Sequence, residues 1–132
     1  MELDSKEQVL VAIYTEYQKD MPDMDSITSA GLGIPKKEFS TALSKLRNEG
    51  FVDNMKFMSK GRTNASAIDI CEAQMSSYGI EYVEKKLEIE KNLRTSEKVT
   101  KVIEKTNQLG LTLLAAFATK ALDEISGKIV SL

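Results

Sequence analysis

Two groups of side chains in this sequence could meet an anion. Residues Lys60-Gly61-Arg62-Thr63-Asn64 combine two cations, a glycine and two small polar side chains between runs able to form strands. Lys36, Lys37, Ser40, Thr41, Ser44, Lys45 and Asn48 fall at helical spacing. Ammonium, guanidinium and hydroxyl groups placed this way hydrogen-bond phosphate oxygens, and an asparagine carboxamide matches the edge of adenine. The 132-residue chain has a formal charge of −2, yet residues 33–64 carry +4 and residues 1–32 carry −5. The positive charge is concentrated in these two segments.

Other chemistries find little support. Without histidine the chain lacks the commonest general base and metal ligand, and one cysteine, Cys71, cannot form an internal disulfide. Zinc sites and Cys-His or Ser-His catalysis are excluded, and no glycine-rich phosphate loop occurs. Glu7, Glu16, Asp20, Glu81 and Glu84 read as helix caps or solvated faces, and Cys71 as a small buried residue on a strand. The expectation is a protein that is not an enzyme, with no catalytic residue, cofactor or metal. The N-terminal MELDSKEQ is no secretory signal, and the most apolar run, Leu109 to Ala118, is half the roughly 20 residues of a membrane span. A cytoplasmic protein without membrane contact is expected.

Several elements must position the two groups. Asp4 or Ser5, with Glu7 or Gln8, caps a first helix whose apolar face is Val9, Leu10, Ile13, Tyr14 and Tyr17, ended by Met21-Pro22. A short second helix runs from Asp25 or Ser26 through Ala30. The third starts at Pro35 and ends before Gly50, with Phe39, Ala42, Leu43 and Leu46 inward. At 100° per residue, its opposite face is Lys37, Thr41, Ser44 and Asn48. That face has no carboxylate; Glu38 and Glu49 lie at its edge. Alternation after Gly50 predicts an antiparallel hairpin turning at 60–64. Ser76 or Ser77 then caps a helix carrying Ile80, Val83 and Leu87. The fold class is mainly α with a small β-hairpin.

This order resembles a winged helix-turn-helix domain over residues 6 to 92. "GLGIPKKEFSTALSKLRNEGFV" matches the turn, recognition helix and first wing strand, "SKGRTN" the wing tip, and "MSSYGIEYVEKKL" the closing helix. The last segment is similar to the L-T-x-x-G-x-x-Y-L pattern that follows the wing in many bacterial members, with Gly79 letting the helix approach the hairpin. Among small families, the E-F-x-x-A-L-x-x-L-x-x-E-G-F pattern looks most like the YjcQ-like proteins of Bacillus and its phages. The resemblance implies sequence-specific double-stranded DNA binding and transcriptional regulation. The recognition helix, 35–49, would enter the major groove and the wing, 59–64, would lie on the backbone. Carried residue by residue, Lys36, Lys37, Ser40, Thr41, Ser44, Lys45 and Asn48 match the helix, and Lys60, Arg62, Thr63 and Asn64 the wing.

Residues 95–132 are expected to form a C-terminal helical extension to a winged-helix domain at 1–94. Unbroken from Ser96 to Ser126, its helix would be about 45 Å long. That exceeds the reach of a domain with a radius of gyration of roughly 12 Å. Leu109, Leu113, Leu114, Phe117, Ala121, Leu122 and Ile125 would then pair with a second copy, giving a homodimer suited to a palindromic site. Gly110 could instead divide the segment into a helical hairpin, with Thr112 as a second cap. The competing reading is a protein-interaction module whose last helix docks on a foreign partner.

Overall fold

The first helix begins with a reciprocal cap. The Glu7 N–H donates to Asp4 Oδ1 at 2.8 Å and the Asp4 N–H donates to Glu7 Oε1 at 3.0 Å, satisfying two otherwise orphaned amides. The computed structural model describes residues 2–59 and 66–127. Its helices are α1 (Ser5–Tyr17), α2 (Ser29–Leu32), α3 (Lys36–Asn48), α4 (Ser77–Lys86), α5 (Thr95–Gln108) and α6 (Thr112–Ser126), with a 3-10 turn at Met24–Ser26. The mainly helical class with a small antiparallel hairpin is observed. The wing-tip residues Lys60, Arg62, Thr63 and Asn64 lie outside the described residues.

α1 is enclosed on every side. Val9 through Glu16 are buried without interruption, where a single apolar face was expected. α3 and α4 cover part of the helix, and α5 and α6 the rest. The enclosure takes in polar groups, each of which finds a partner. Glu84, 3% exposed, accepts from the Tyr14 hydroxyl at 2.9 Å and pairs with Lys98 at 2.8 Å. Burial and that hydrogen bond push the Tyr14 phenol well above its ordinary pKa. Glu16, 1% exposed, accepts from the Asp23 N–H at 2.8 Å and pairs with Lys19. Glu16 and Glu84 are therefore neither caps nor solvated: Glu84 stands between α1, α4 and α5, and the chain after α1 folds back over Glu16.

Chain boundaries also shift from those expected. α1 stops at Tyr17, before Met21-Pro22, and Gln18 Nε2 bonds back to the Tyr14 carbonyl. The short second helix is split: Thr28, not Asp25 or Ser26, caps α2 by accepting from the Gly31 N–H at 2.9 Å. Ser26 instead donates to the Asp23 carbonyl at 2.7 Å.

The C-terminal segment breaks at Gly110, whose φ of 76° is left-handed. The Gly110 N–H donates to Asn107 O at 3.1 Å and the Leu111 N–H to Thr106 O at 2.9 Å, a Schellman closure that glycine makes without Cβ strain. Leu111 rather than Thr112 occupies the cap of α6, and Arg94 rather than Ser96 that of α5. There is no 45 Å rod. Two helices of 14 and 15 residues, each about 22 Å long, fold against each other and onto α1, with α6 also on α2. The apolar surface that a rod would have left needing a partner is met within the chain.

The hairpin is interrupted. β1 (Val52–Asp53) pairs with β4 (Gln74–Met75), and β2 (Lys56–Ser59) with β3 (Ser66–Asp69), both antiparallel. Between the two ladders the register steps by two residues, taken up by a turn over 70–73 in one arm and by Asn54, at φ 64°, in the other. Cys71 lies in that turn and is exposed, contrary to the buried strand position expected. Its hydrogen bond with Asp69 pushes the thiol pKa up, away from a reactive thiolate.

α4 sits directly on the base of the hairpin. Ser76 caps it, accepting from the Gly79 N–H at 3.0 Å and donating to Gly50 O at 2.6 Å. A Cβ on Gly79 would stand 2.3 Å from Phe51 O, so this close approach requires glycine, as the sequence suggests.

Candidate nucleic-acid interface

α3 is positioned from both ends. Ile34 is buried just before it, and Pro35, at φ −57°, stands at its N-cap. At the far end the Gly50 and Phe51 N–H groups close on Arg47 O and Leu46 O. Ala42, Leu43 and Leu46 are buried against the body, with Phe39 half-buried beside them. Helical periodicity then turns Lys36, Lys37, Thr41, Lys45 and Asn48 outward, where they are exposed; Ser40 and Ser44 are half-buried.

The carboxylates nearest this face are engaged on one side of it. Glu38 accepts a hydrogen bond from Ser5 Oγ, and Glu49 pairs with Lys6 at 2.7 Å. That hydrogen bond to Glu49 raises the Lys6 pKa above its ordinary value. Thr41 and Lys45 border a shallow concavity shared with Asp4, Ser5 and Lys6. Lys37, Ser44 and Asn48 lie further round the helix. α3 packs on α1, α2 and β1, whereas α5 and α6 lie against α1 and one another, with α6 also on α2. Neither α5 nor α6 is among the main packing neighbours of α3.

One residue of this region escapes the sequence reading. Arg47, in the last turn of α3, places its guanidinium carbon 4.4 Å from the centroid of the Phe57 ring on β2. On the helical wheel Arg47 stands beside the buried stripe, and only the packing of the hairpin shows what it meets.

The seven residues expected at a dimer seam are distributed differently. Leu114 and Ala121 are buried within the chain, and Leu109, Phe117, Leu122 and Ile125 pack partly buried on the core. Leu113 is 50% exposed, with one methyl close to Gly33.

Among the described residues there is no cluster of side chains able to hold a metal ion, and no helix is long and apolar enough to cross a membrane. A concavity of about 490 Å³ lies between the end of α1 and α6. It is lined by charges of both signs, including Lys19, Asp20, Lys120 and Glu124. Lys19 is already paired with Glu16 and Glu124 across it.

No curated protein and no solved structure matches the chain. Residues 8–103, from α1 into α5, match the family described as YjcQ protein. With nearly three quarters of its length in that match, the chain belongs to the YjcQ family.

Proposed function

We propose that this protein is a duplex DNA-binding regulator of the winged helix-turn-helix kind. In this reading α3 lies in the major groove and the β2–β3 arm runs along the backbone. The observation that carries it is the outer face of α3: cations, the Thr41 hydroxyl and an amide exposed together, with Ser40 and Ser44 half-buried beside them. Glu38 and Glu49 are engaged at its edge, and the C-terminal helices are not among the main packing neighbours of α3. Lys36, Lys37 and Lys45 would displace counterions from the phosphates, and Ser40, Thr41 and Ser44 would donate to phosphate oxygens. Asn48 is the side chain best suited to read an adenine edge. Lys60, Arg62, Thr63 and Asn64, in the chain joining β2 to β3, would extend the contact to the backbone. Regulation follows from occupancy of the site.

The experiment is an anisotropy titration against a pool of random duplexes, followed by selection of the bound fragments. Five neutralised phosphates give a slope of log affinity against log salt of about −4.5. Lys37→Glu abolishes binding while leaving the melt unchanged. Wild-type protein that ignores duplex DNA at low salt, or a Lys37→Glu variant that binds as tightly as wild type, overturns the reading.

Recognition by one chain is sufficient for this mechanism. A dimer through residues 96–126 would have to use Leu113 and the outer edge of α6, since Leu114 and Ala121 serve the chain's own core. A light-scattering mass of the free protein decides between one copy and two. The same packing leaves a protein-docking role for α6 with little apolar surface.

A further inference from the structure

We propose that Arg47 is a positioning residue that fixes the direction of the β2–β3 arm relative to α3, acting on DNA through Phe57 rather than by touching it. The inference rests on the nucleic-acid reading above. Its basis is the way the arm is attached. β2 and β3 pair with each other, and neither has a helix among its main packing neighbours. The arm leaves the body through Asn54 on one side and the turn at 70–73 on the other, where the ladder steps by two residues. A two-stranded ribbon joined through such a step has no continuous backbone ladder to hold its angle. Met55 and Ile70 anchor its root in the core. Further out, the contact to α3 is the Arg47 guanidinium over the Phe57 ring, at 4.4 Å and within the range of a cation–π attraction.

The residue types suit that task. Phe57 is half-buried and stands opposite Ile68 across the ladder, so its ring is backed by the partner strand. Guanidinium is planar and weakly hydrated, and it stacks on an aromatic face better than an ammonium group does. Among the described residues Arg47 forms no ion pair with a carboxylate, so its charge is not drawn elsewhere. Holding the arm at one angle lets helix and arm meet a duplex together, and the second contact is then made at high effective concentration.

The test is a double-mutant cycle on duplex affinity, using Arg47→Met and Phe57→Leu, with arm orientation in the free protein measured by residual dipolar couplings. A contact of this strength predicts that each single variant binds roughly two- to fivefold more weakly. The double variant should be no weaker than either single one, and Arg47→Lys should fall between wild type and Arg47→Met. Phe57→Leu removes no charge, so its salt slope should equal that of the wild type. In both single variants the couplings of β2 and β3 should change relative to those of α3. Wild-type couplings in both variants overturn the proposal. So does a silent Phe57→Leu beside an Arg47→Met whose salt slope falls by about 0.9, the signature of a direct phosphate contact. Wild-type protein that binds no duplex overturns the nucleic-acid reading, while the couplings still report on the tie itself.

Discussion

If α5 and α6 complete the core around α1, a chain ending at residue 94 should lose most of its folding free energy. The truncation removes Val99, Val102 and Leu114, each at most 2% exposed, together with the buried Ala115, Ala118 and Ala121. Burying a valine or leucine contributes about 1.5–3 kcal/mol, so the three larger side chains alone account for about 4.5–9 kcal/mol. It also uncovers the side of α1 that they enclose and takes Lys98 away from Glu84. A domain of this size holds a net stability of about 5–15 kcal/mol, so the fragment should keep little or none of it. Urea unfolding followed by circular dichroism measures this directly. A second variant guards against trivial failure of a truncated chain. Leu114→Ala in the full chain should cost about 2–5 kcal/mol, and amide exchange should rise in α1 and α5 together. A 1–94 fragment that unfolds cooperatively within about 1 kcal/mol of the full chain would refute the reasoning and make residues 95–132 an appendage.

Further expectations concern single contacts. Lys98→Met leaves the Glu84 carboxylate buried without its cation and should cost about 3–5 kcal/mol, part of which Glu84→Gln in the same background restores. In Gly79→Ala, the helical preference for alanine is worth about 1 kcal/mol, but the new methyl meets the Phe51 carbonyl at 2.3 Å. With overpacking of about 3 kcal/mol, a net loss near 2 kcal/mol should appear in the urea midpoint; a more stable variant would refute the contact. The Glu7–Tyr82 hydrogen bond, 2.6 Å long, links pH to stability from both sides. Burial pushes Glu7 up, but hydrogen bonds from Tyr82, the Asp4 amide and Lys86 outweigh it, leaving its pKa below the usual 4.5. Its contribution is therefore complete above about pH 4.5 and is lost as pH falls through the lower folded value. Tyr82 is pushed up to about 12 by the bond to Glu7, so its contribution is complete below pH 10 and lost as pH rises from 10 toward 12. Tyr82→Phe should flatten both limbs of a stability–pH curve, and an unchanged curve would show that the pair contributes nothing.

The sequence carried α3 almost intact, because Ala42, Leu43 and Leu46 mark an inward stripe and Gly50 closes the helix. Ser76 and Gly79 were legible for the same reason: cap chemistry and close approach each demand a particular residue type. α1 was only half legible. The sequence reads Glu16 as a cap or a solvated side chain, whereas the chain returning through Asp23 encloses it, and α5 and α6, 80 to 110 positions further along, cover the rest of that side of α1. The break at Gly110 was visible as an alternative, but whether the two halves would fold home or toward a partner was not, since an apolar face does not name what covers it. Arg47 was invisible for a related reason. Its partner Phe57 lies on another element, and the angle between the two is a property of the assembled molecule.

The enclosure of α1 also sets an order of events during synthesis. α1 leaves the ribosome well before α6, which helps to seal it, with 109 residues between the end of one and the end of the other. At roughly 5–20 residues per second that is an interval of about 5–20 s, during which Val9, Leu10 and Ile13 have no finished surroundings. The nascent chain should therefore stay sensitive to protease and chaperone capture until α6 emerges, and then become resistant in one step.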